Sequence, residues 1–158
     1  EASDRIALIR ALRPGGVIDT IATDHAPHLP AQKEGDALTA ASGMPMVQFS
    51  LPAMLDLIST DPDAEGIGIE QVVQLMCHAP ATLLGIEKRG FLREGYYADL
   101  AVVAPTGMGG HRITDSDVVS RCGWTPLAGR SLSWEVRHVS VNGGTGASPL
   151  TFNNRSES

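Results

Sequence analysis

The sequence predicts an α/β chain in which helices come first and strands follow, and three observations carry that prediction. The apolar run Val17 to Ala22 is rich in β-branched residues and holds one charge, Asp19, as an interior parallel strand does. Segments around it, up to about residue 86, space their apolar residues as helices do. Beyond that point, short apolar or alternating runs separated by glycine-bearing turns take over. The change of character divides the chain into 1–86 and 87–158.

The first helix has an apolar face of Ile6, Leu8, Ile9 and Leu12, and Arg13-Pro14-Gly15-Gly16 ends it. The strand Val17–Ala22 follows and turns polar at Thr23, where Pro27 and Pro30 exclude a continuing helix. Helix, turn and buried strand are part of a βα repeat, and a closed barrel needs eight. The chain is therefore expected to be the carboxyl-terminal part of a longer protein. Ala31 to Ser42 is small, polar and glycine-bearing, which suits an active-site loop or lid as well as a plain surface connection.

From Val47 to Ser59 a helix is expected, with Phe49, Ala53, Met54, Leu57 and Ile58 on one side and Pro52 kinking or restarting it. After the loop Asp61–Gly68, Ile69–Cys77 reads as an amphipathic helix and Pro80–Leu84 as a separate short one closed by Gly85. Gly90–Leu92 and Ala98–Val103 read as strands around a Glu94-Gly95 turn. Trp134–Val141 alternates like a strand before the turn signal Asn142-Gly143. The tail from Thr145, rich in Gly, Ser and Asn, is expected to be poorly ordered.

With 158 residues, 42% of them hydrophobic, the chain can bury a sizeable core. No apolar run approaches the ~18 to 20 residues of a membrane span. A net charge of -6 argues against nucleic acid or an anionic membrane as partner. It leaves room for an anionic small molecule, because a bound metal reverses the local field. Two cysteines, Cys77 and Cys122, make no disulfide framework, so the cytoplasm is the default compartment. Cys77 is expected to be a small buried group, and Trp124 and Trp134 to fill the core of the strand-rich part.

The chemistry concentrates in Thr23-Asp24-His25-Ala26-Pro27-His28. Side chains at the carboxyl end of a parallel strand face the active site. A carboxylate there binds a metal or moves a proton, and imidazoles ligate metal or hold an anion. An aspartate at such a place can equally fix a turn through its own side chain. Of the two histidines, His25 is expected to hydrogen-bond within the loop and His28 to touch substrate or metal. His78, at the end of the Ile69–Cys77 helix, suits the helix dipole. His111 and His138 have no partner in sequence, and Gly109-Gly110 lacks the spacing of a phosphate loop.

Thr23 to His28 resembles the TDHAPH motif of dihydroorotases, members of the amidohydrolase superfamily. The rest agrees in order. Asp19–Ala22 is similar to the family's last barrel strand, and Ser42-Gly43-Met44-Pro45 to its substrate-loop glycine ahead of the final barrel helix. Cys77–Ala81 resembles the segment before the closing helix. Gly90–Leu100 resembles the GxLxxGxxADL signature, where the chain re-enters a small β-domain, and Thr125–Gly129 the TPxxG segment near the end.

The resemblance implies the carboxyl-terminal part of a (β/α)8 TIM-barrel metal-dependent hydrolase, with the barrel's last strand and helices in 1–86 and part of a small β-sandwich in 87–158. It implies a binuclear zinc site, with Asp24 as metal ligand and catalytic acid/base, and His28, Ser42 and Gly43 binding substrate. The substrate would be dihydroorotate or, in reverse, carbamoyl aspartate. Further metal ligands and an arginine for the substrate carboxylate would come from the missing N-terminal part of the same protein, so this chain alone is expected to be inactive. Family members often form homodimers. A non-catalytic dihydroorotase-like subunit and a hydantoinase- or allantoinase-type cyclic-amide hydrolase are the alternatives.

Overall fold

The computed structural model describes residues 1–145; the tail expected to be poorly ordered lies, beyond Thr145, outside them. Helix α1 spans Ala2–Ala11, with Asp4 and Glu1 forming a capping box at its start. Helix α2 spans Ser50–Thr60, and α3 (Ile69–Val73) runs through a π turn (Gln74–His78) into α4 (Ala79–Leu83). Strands β1 (Leu100–Pro105), β4 (Trp134–Val141) and β5 (Gly144–Thr145) form an antiparallel sheet in the order β1-β4-β5. Strands β2 (His111–Arg112) and β3 (Ser131–Leu132) pair separately. A register shift between Val102 and Val103 bends β1 against β4.

Helix α2 is apolar nearly all round, and it is buried accordingly. On one side Met54, Leu57 and Ile58 pack on a cluster of Ile9, Leu12, Ala64, Ile67 and Leu75. On the other, Ala53 packs on Phe49, Ile113, Leu127 and Leu132. The second cluster draws residues from both sides of position 86. Between the two sides, Leu55 is 1% exposed and Asp56 is buried as well. The Asp56 carboxylate accepts the Ser133 N–H (3.0 Å) and hydroxyl (2.6 Å) where the chain passes from β3 to β4. The expected single face of this helix is thus two faces.

Several sequence expectations are corrected. Val17–Ala22 forms no ladder and Val17 is 86% exposed, because a parallel strand exists only beside a partner and the described residues supply none. Pro52 does not kink α2: it sits in the first turn, where its missing N–H would have no intrahelical partner. The helices expected at Ile69–Cys77 and Pro80–Leu84 are one continuous rod, the π turn preceding Pro80. His78 therefore lies within the rod instead of at its end, with its ring stacked on Phe91 at 4.4 Å.

Gly90–Leu92 is not a strand. Arg93 covers the Phe91 ring at 4.4 Å while Leu92 is exposed, so ring stacking on the helix replaces ladder pairing. Gly90 has φ +76, and a Cβ there would lie 2.7 Å from the Cys77 carbonyl oxygen, so the chain passes the helix at a distance only glycine permits. The next strand starts at Leu100, two residues later than expected. The strand Trp134–Val141 and its Asn142-Gly143 turn stand as expected.

Cys77 is exposed, against expectation, since it lies on the outer side of the rod. His111 pairs with Asp117 at 3.3 Å, a partner local spacing did not suggest. Neither tryptophan is a core filler of the strand-rich part: each is partly buried and sends its indole N–H toward the helical part. Trp134 donates to Ser59 Oγ at 3.0 Å.

The Asp56 bridge yields a stability prediction. Asp56→Ala leaves the Ser133 N–H and hydroxyl without their acceptor and costs about 1–3 kcal/mol. Asp56→Asn keeps the Oδ1 acceptor and costs less; urea denaturation of the two variants measures the difference.

Candidate active site

The loop carrying Asp24, His25 and His28 is held from several directions. Before it, the Ile21 N–H donates to the Leu75 carbonyl at 2.9 Å, tying the extended segment to the π turn. Within it, the Ala26 N–H donates to the Met44 carbonyl at 3.1 Å, and His25 and Met44 form a parallel bridge. His25 Nδ1 accepts from the backbone N–H groups of Met46 (3.2 Å) and Val47 (3.3 Å), as expected of a histidine working inside its loop. These two bonds make Nδ1 the acceptor nitrogen of the ring. His25 also lines a cavity of about 380 Å³ with Pro45, Gln48, Val119 and Arg121.

The bridge brings Asp24–His28 against Ser42–Gly43, two stretches that sequence separates by a long loop. Gly43 has φ +89, and a Cβ on it would lie 2.5 Å from Ala26 Cβ and 3.9 Å from the Asp24 carbonyl oxygen. Both the turn and the close approach therefore require glycine. Lys33 supports the same stretch, donating through Nζ to the carbonyls of Ala41 and Gly43 (2.9 Å to the latter). Asp36 closes the loop between them: its Oδ1 accepts the Leu38 and Thr39 N–H groups and the Thr39 hydroxyl. Those bonds, the Leu38 amide first, hold the carboxyl below its ordinary pKa.

Asp24 stands apart from this network. Its backbone is left-handed, φ +45, its side chain is exposed, and its carboxylate has no hydrogen-bond partner among the described residues. Aspartate tolerates that conformation better than most residues. His28 is half-buried, and both its backbone groups are bonded: its N–H to the Ala26 carbonyl (2.9 Å), its carbonyl to the Trp124 indole N–H (2.8 Å). Gln48 makes a second link to the same later segment, donating to the Asp117 carbonyl and accepting the Val119 N–H. Lys33 and Gln48 escaped the sequence reading, and Trp124 was expected only as a core residue, because each acts on backbone atoms, 8 and 10 positions away for Lys33 and 69 or more for the other two. Such contacts leave no local spacing pattern.

Among the described residues, no three His, Cys, Asp or Glu side chains converge as a metal site needs. This chain's own donors therefore do not fit a binuclear metal centre; they offer one carboxylate, Asp24, at the end of the extended segment.

The amidohydrolase family model matches residues 1–145, and the chain belongs to that family. Among curated relatives, it is 37% identical to a dihydroorotase of Halobacterium salinarum over 125 residues, 79% of this chain and 28% of that protein. It is also 37% identical to a dihydroorotase of Desulforapulum autotrophicum, over 89% of this chain and 31% of that one. Among solved structures, it superposes on L-hydantoinase (dihydropyrimidinase) from Arthrobacter aurescens with TM-score 0.79 and 27% identity, covering 92% of this chain and 32% of that one. The chain thus spans about a third of the length of the relatives it matches, and its fold is an α/β piece of the amidohydrolase fold.

Two predictions follow from the loop's construction. Gly43→Ala forces a strained φ and a clash at Ala26, which opens the His25–Met44 bridge and costs about 1–3 kcal/mol. Faster hydrogen exchange at the Ala26 amide reports it. Because Asp36 has a lowered pKa in the fold, its turn is fully stabilised above the ordinary aspartate pKa and loosens as pH falls through the lowered one. Protection of the Leu38 and Thr39 amides should decline below about pH 4.

Proposed function

We propose that this chain is the part of a dihydroorotase that carries the proton-transfer carboxylate and one wall of the substrate site. The reaction is the reversible hydrolysis of dihydroorotate to N-carbamoyl-aspartate, a step of de novo pyrimidine (UMP) biosynthesis, in the cytoplasm. The observation that carries the reading is the backbone pairing of the Asp24–His28 loop with Gly43–Met44. In this reading the pairing brings the stretch that carries the Asp24 carboxylate, unpartnered among the described residues, and the His28 imidazole up to the Ser42–Gly43 backbone.

In this reading Asp24 accepts a proton from the attacking water and delivers it to the ring nitrogen that leaves when the cyclic amide opens. In the reverse direction the same carboxylate takes the proton as the ring closes. A carboxylate with no competing hydrogen bond is able to do both. His28 and the Ser42–Gly43 backbone hold the substrate's amide and carboxylate. Zinc is the metal that the family likeness suggests, and it supplies hydroxide at neutral pH when bound. Among the described residues Asp24 is the one ligand for it that this chain would contribute, and the others would belong to the missing N-terminal part of the same protein.

That part also fits the surface left here: Leu8 and Val17 are exposed apolar residues, and Val17 lies in an extended segment with no ladder partner among the described residues. The upstream barrel strands would cover them, residues 87–158 would complete a β-sandwich with upstream strands, and a homodimer is the assembly tested first. A hydantoinase-type substrate is the second reading, favoured by the superposition on the Arthrobacter aurescens L-hydantoinase.

Turnover of dihydroorotate, hydantoin and allantoin by the full-length protein separates the readings, with dihydroorotate expected to be hydrolysed best. Asp24→Asn in that protein should cut kcat by at least ~100-fold, the low end of acid/base contributions; near-normal turnover sinks the assignment. The 158-residue chain alone should show no zinc-dependent hydrolysis, and measurable activity from it would overturn the division of ligands.

A further inference from the structure

We infer that Trp124 is a positioning residue for His28, acting through the loop backbone from a foothold in the second core cluster; the inference rests on reading His28 as a substrate contact. The foothold is fixed on both sides of Trp124. Cys122 and Thr125 are buried, and Leu127 packs with Phe49, Ile113 and Leu132. The Thr125 hydroxyl accepts the Leu127 N–H, and the Ala128 N–H returns to the Thr125 carbonyl, so the segment is a tight turn instead of a free strap. From that turn the indole reaches across 96 positions of sequence and gives its N–H to the His28 carbonyl at 2.8 Å.

The direction of control follows from what each partner has available. The His28 loop contains Pro27 and Pro30, which lack N–H groups, so few local donors exist to fix its carbonyls. The His28 N–H is already committed to Ala26. The indole bond fixes the following peptide plane, and the two together set the Cα–Cβ direction along which the imidazole leaves the backbone. Trp124 itself has no contact with Asp24, Ser42 or Gly43 among its hydrogen bonds. Removing its N–H should therefore loosen substrate holding without touching proton transfer.

The test uses the full-length protein and Trp124→Phe, which keeps an aromatic ring and deletes the donor. KM for the cyclic amide should rise about 3- to 10-fold, the worth of one neutral hydrogen bond, while kcat at saturation stays within about twofold. In a His28→Ala background, the same substitution should leave KM unchanged, since the group it positions is gone. Trp124→His, which returns a ring N–H, should recover part of the loss and serves as the comparison if the phenylalanine variant does not fold.

An unchanged KM in Trp124→Phe, or an equal rise with and without the His28 imidazole, overturns the inference. Running the series on both dihydroorotate and hydantoin keeps the two readings apart. Coupling seen on hydantoin in a protein inert toward dihydroorotate would sustain the positioning role and sink the proposed substrate. No turnover of either would overturn both.

Discussion

Helix α2 is the constraint on which the rest of this structure depends. Its residues Ser50–Thr60 leave no polar stripe to turn toward water before the last turn, so apolar groups must cover it on both sides. The covering on one side is α1 with the Ala64–Leu75 stretch, and on the other Ile113, Leu127 and Leu132. Burying an aliphatic side chain such as Leu55 contributes about 1.5–3 kcal/mol, more than any single surface ion pair here supplies. The exposed pairs of Arg5 and Arg10 with Asp61 and Asp63 orient α1, but apolar burial decides that it docks.

Polar contacts then fix what burial only brings together. Asp56 with Ser133, Trp134 with Ser59, Gln48 with residues 117 and 119, and Trp124 with His28 all join residues before position 86 to residues after it. Apolar contacts are tolerant of sliding, whereas each of these bonds has one geometry. The strand-rich part is consequently more than an appendage in physical terms. It supplies the Trp124 indole, which bonds the His28 carbonyl at the candidate site, and the backbone groups of residues 117 and 119 that hold the Gln48 side chain.

Much of this was legible in the sequence where the signal is local. The helix expected over 47–59, found at Ser50–Thr60, and the strand Trp134–Val141 with its turn follow from periodicity and turn chemistry, and His25 hydrogen-bonds inside its loop as expected. The strand at Val17–Ala22 shows the limit: its composition is that of a buried strand, but strand formation depends on neighbours, and composition cannot provide them. Pro80 shows another. A proline usually ends a helix, yet the π turn Gln74–His78 just before it lets the rod continue, with Leu75 and Ala81 both buried. The contacts of Lys33, Gln48 and the Trp124 indole were invisible because their targets are backbone atoms, which every residue possesses.

Asp24 is where these forces leave a remainder. The chain is pinned before it by Ile21 on Leu75 and after it by Ala26 on Met44, so the turn between must be made in a few residues. Asp24 takes the left-handed conformation that this requires, at a cost that glycine or asparagine would lower. A structural aspartate in such a turn normally recovers that cost by accepting a nearby backbone N–H, as Asp36 does twice in the following loop. Asp24 makes no such bond among the described residues. The turn could be built more stably with another residue, and the carboxylate is kept exposed at its apex. That combination supports the role proposed for Asp24, and it contrasts with Asp36, whose carboxylate is committed to its own turn.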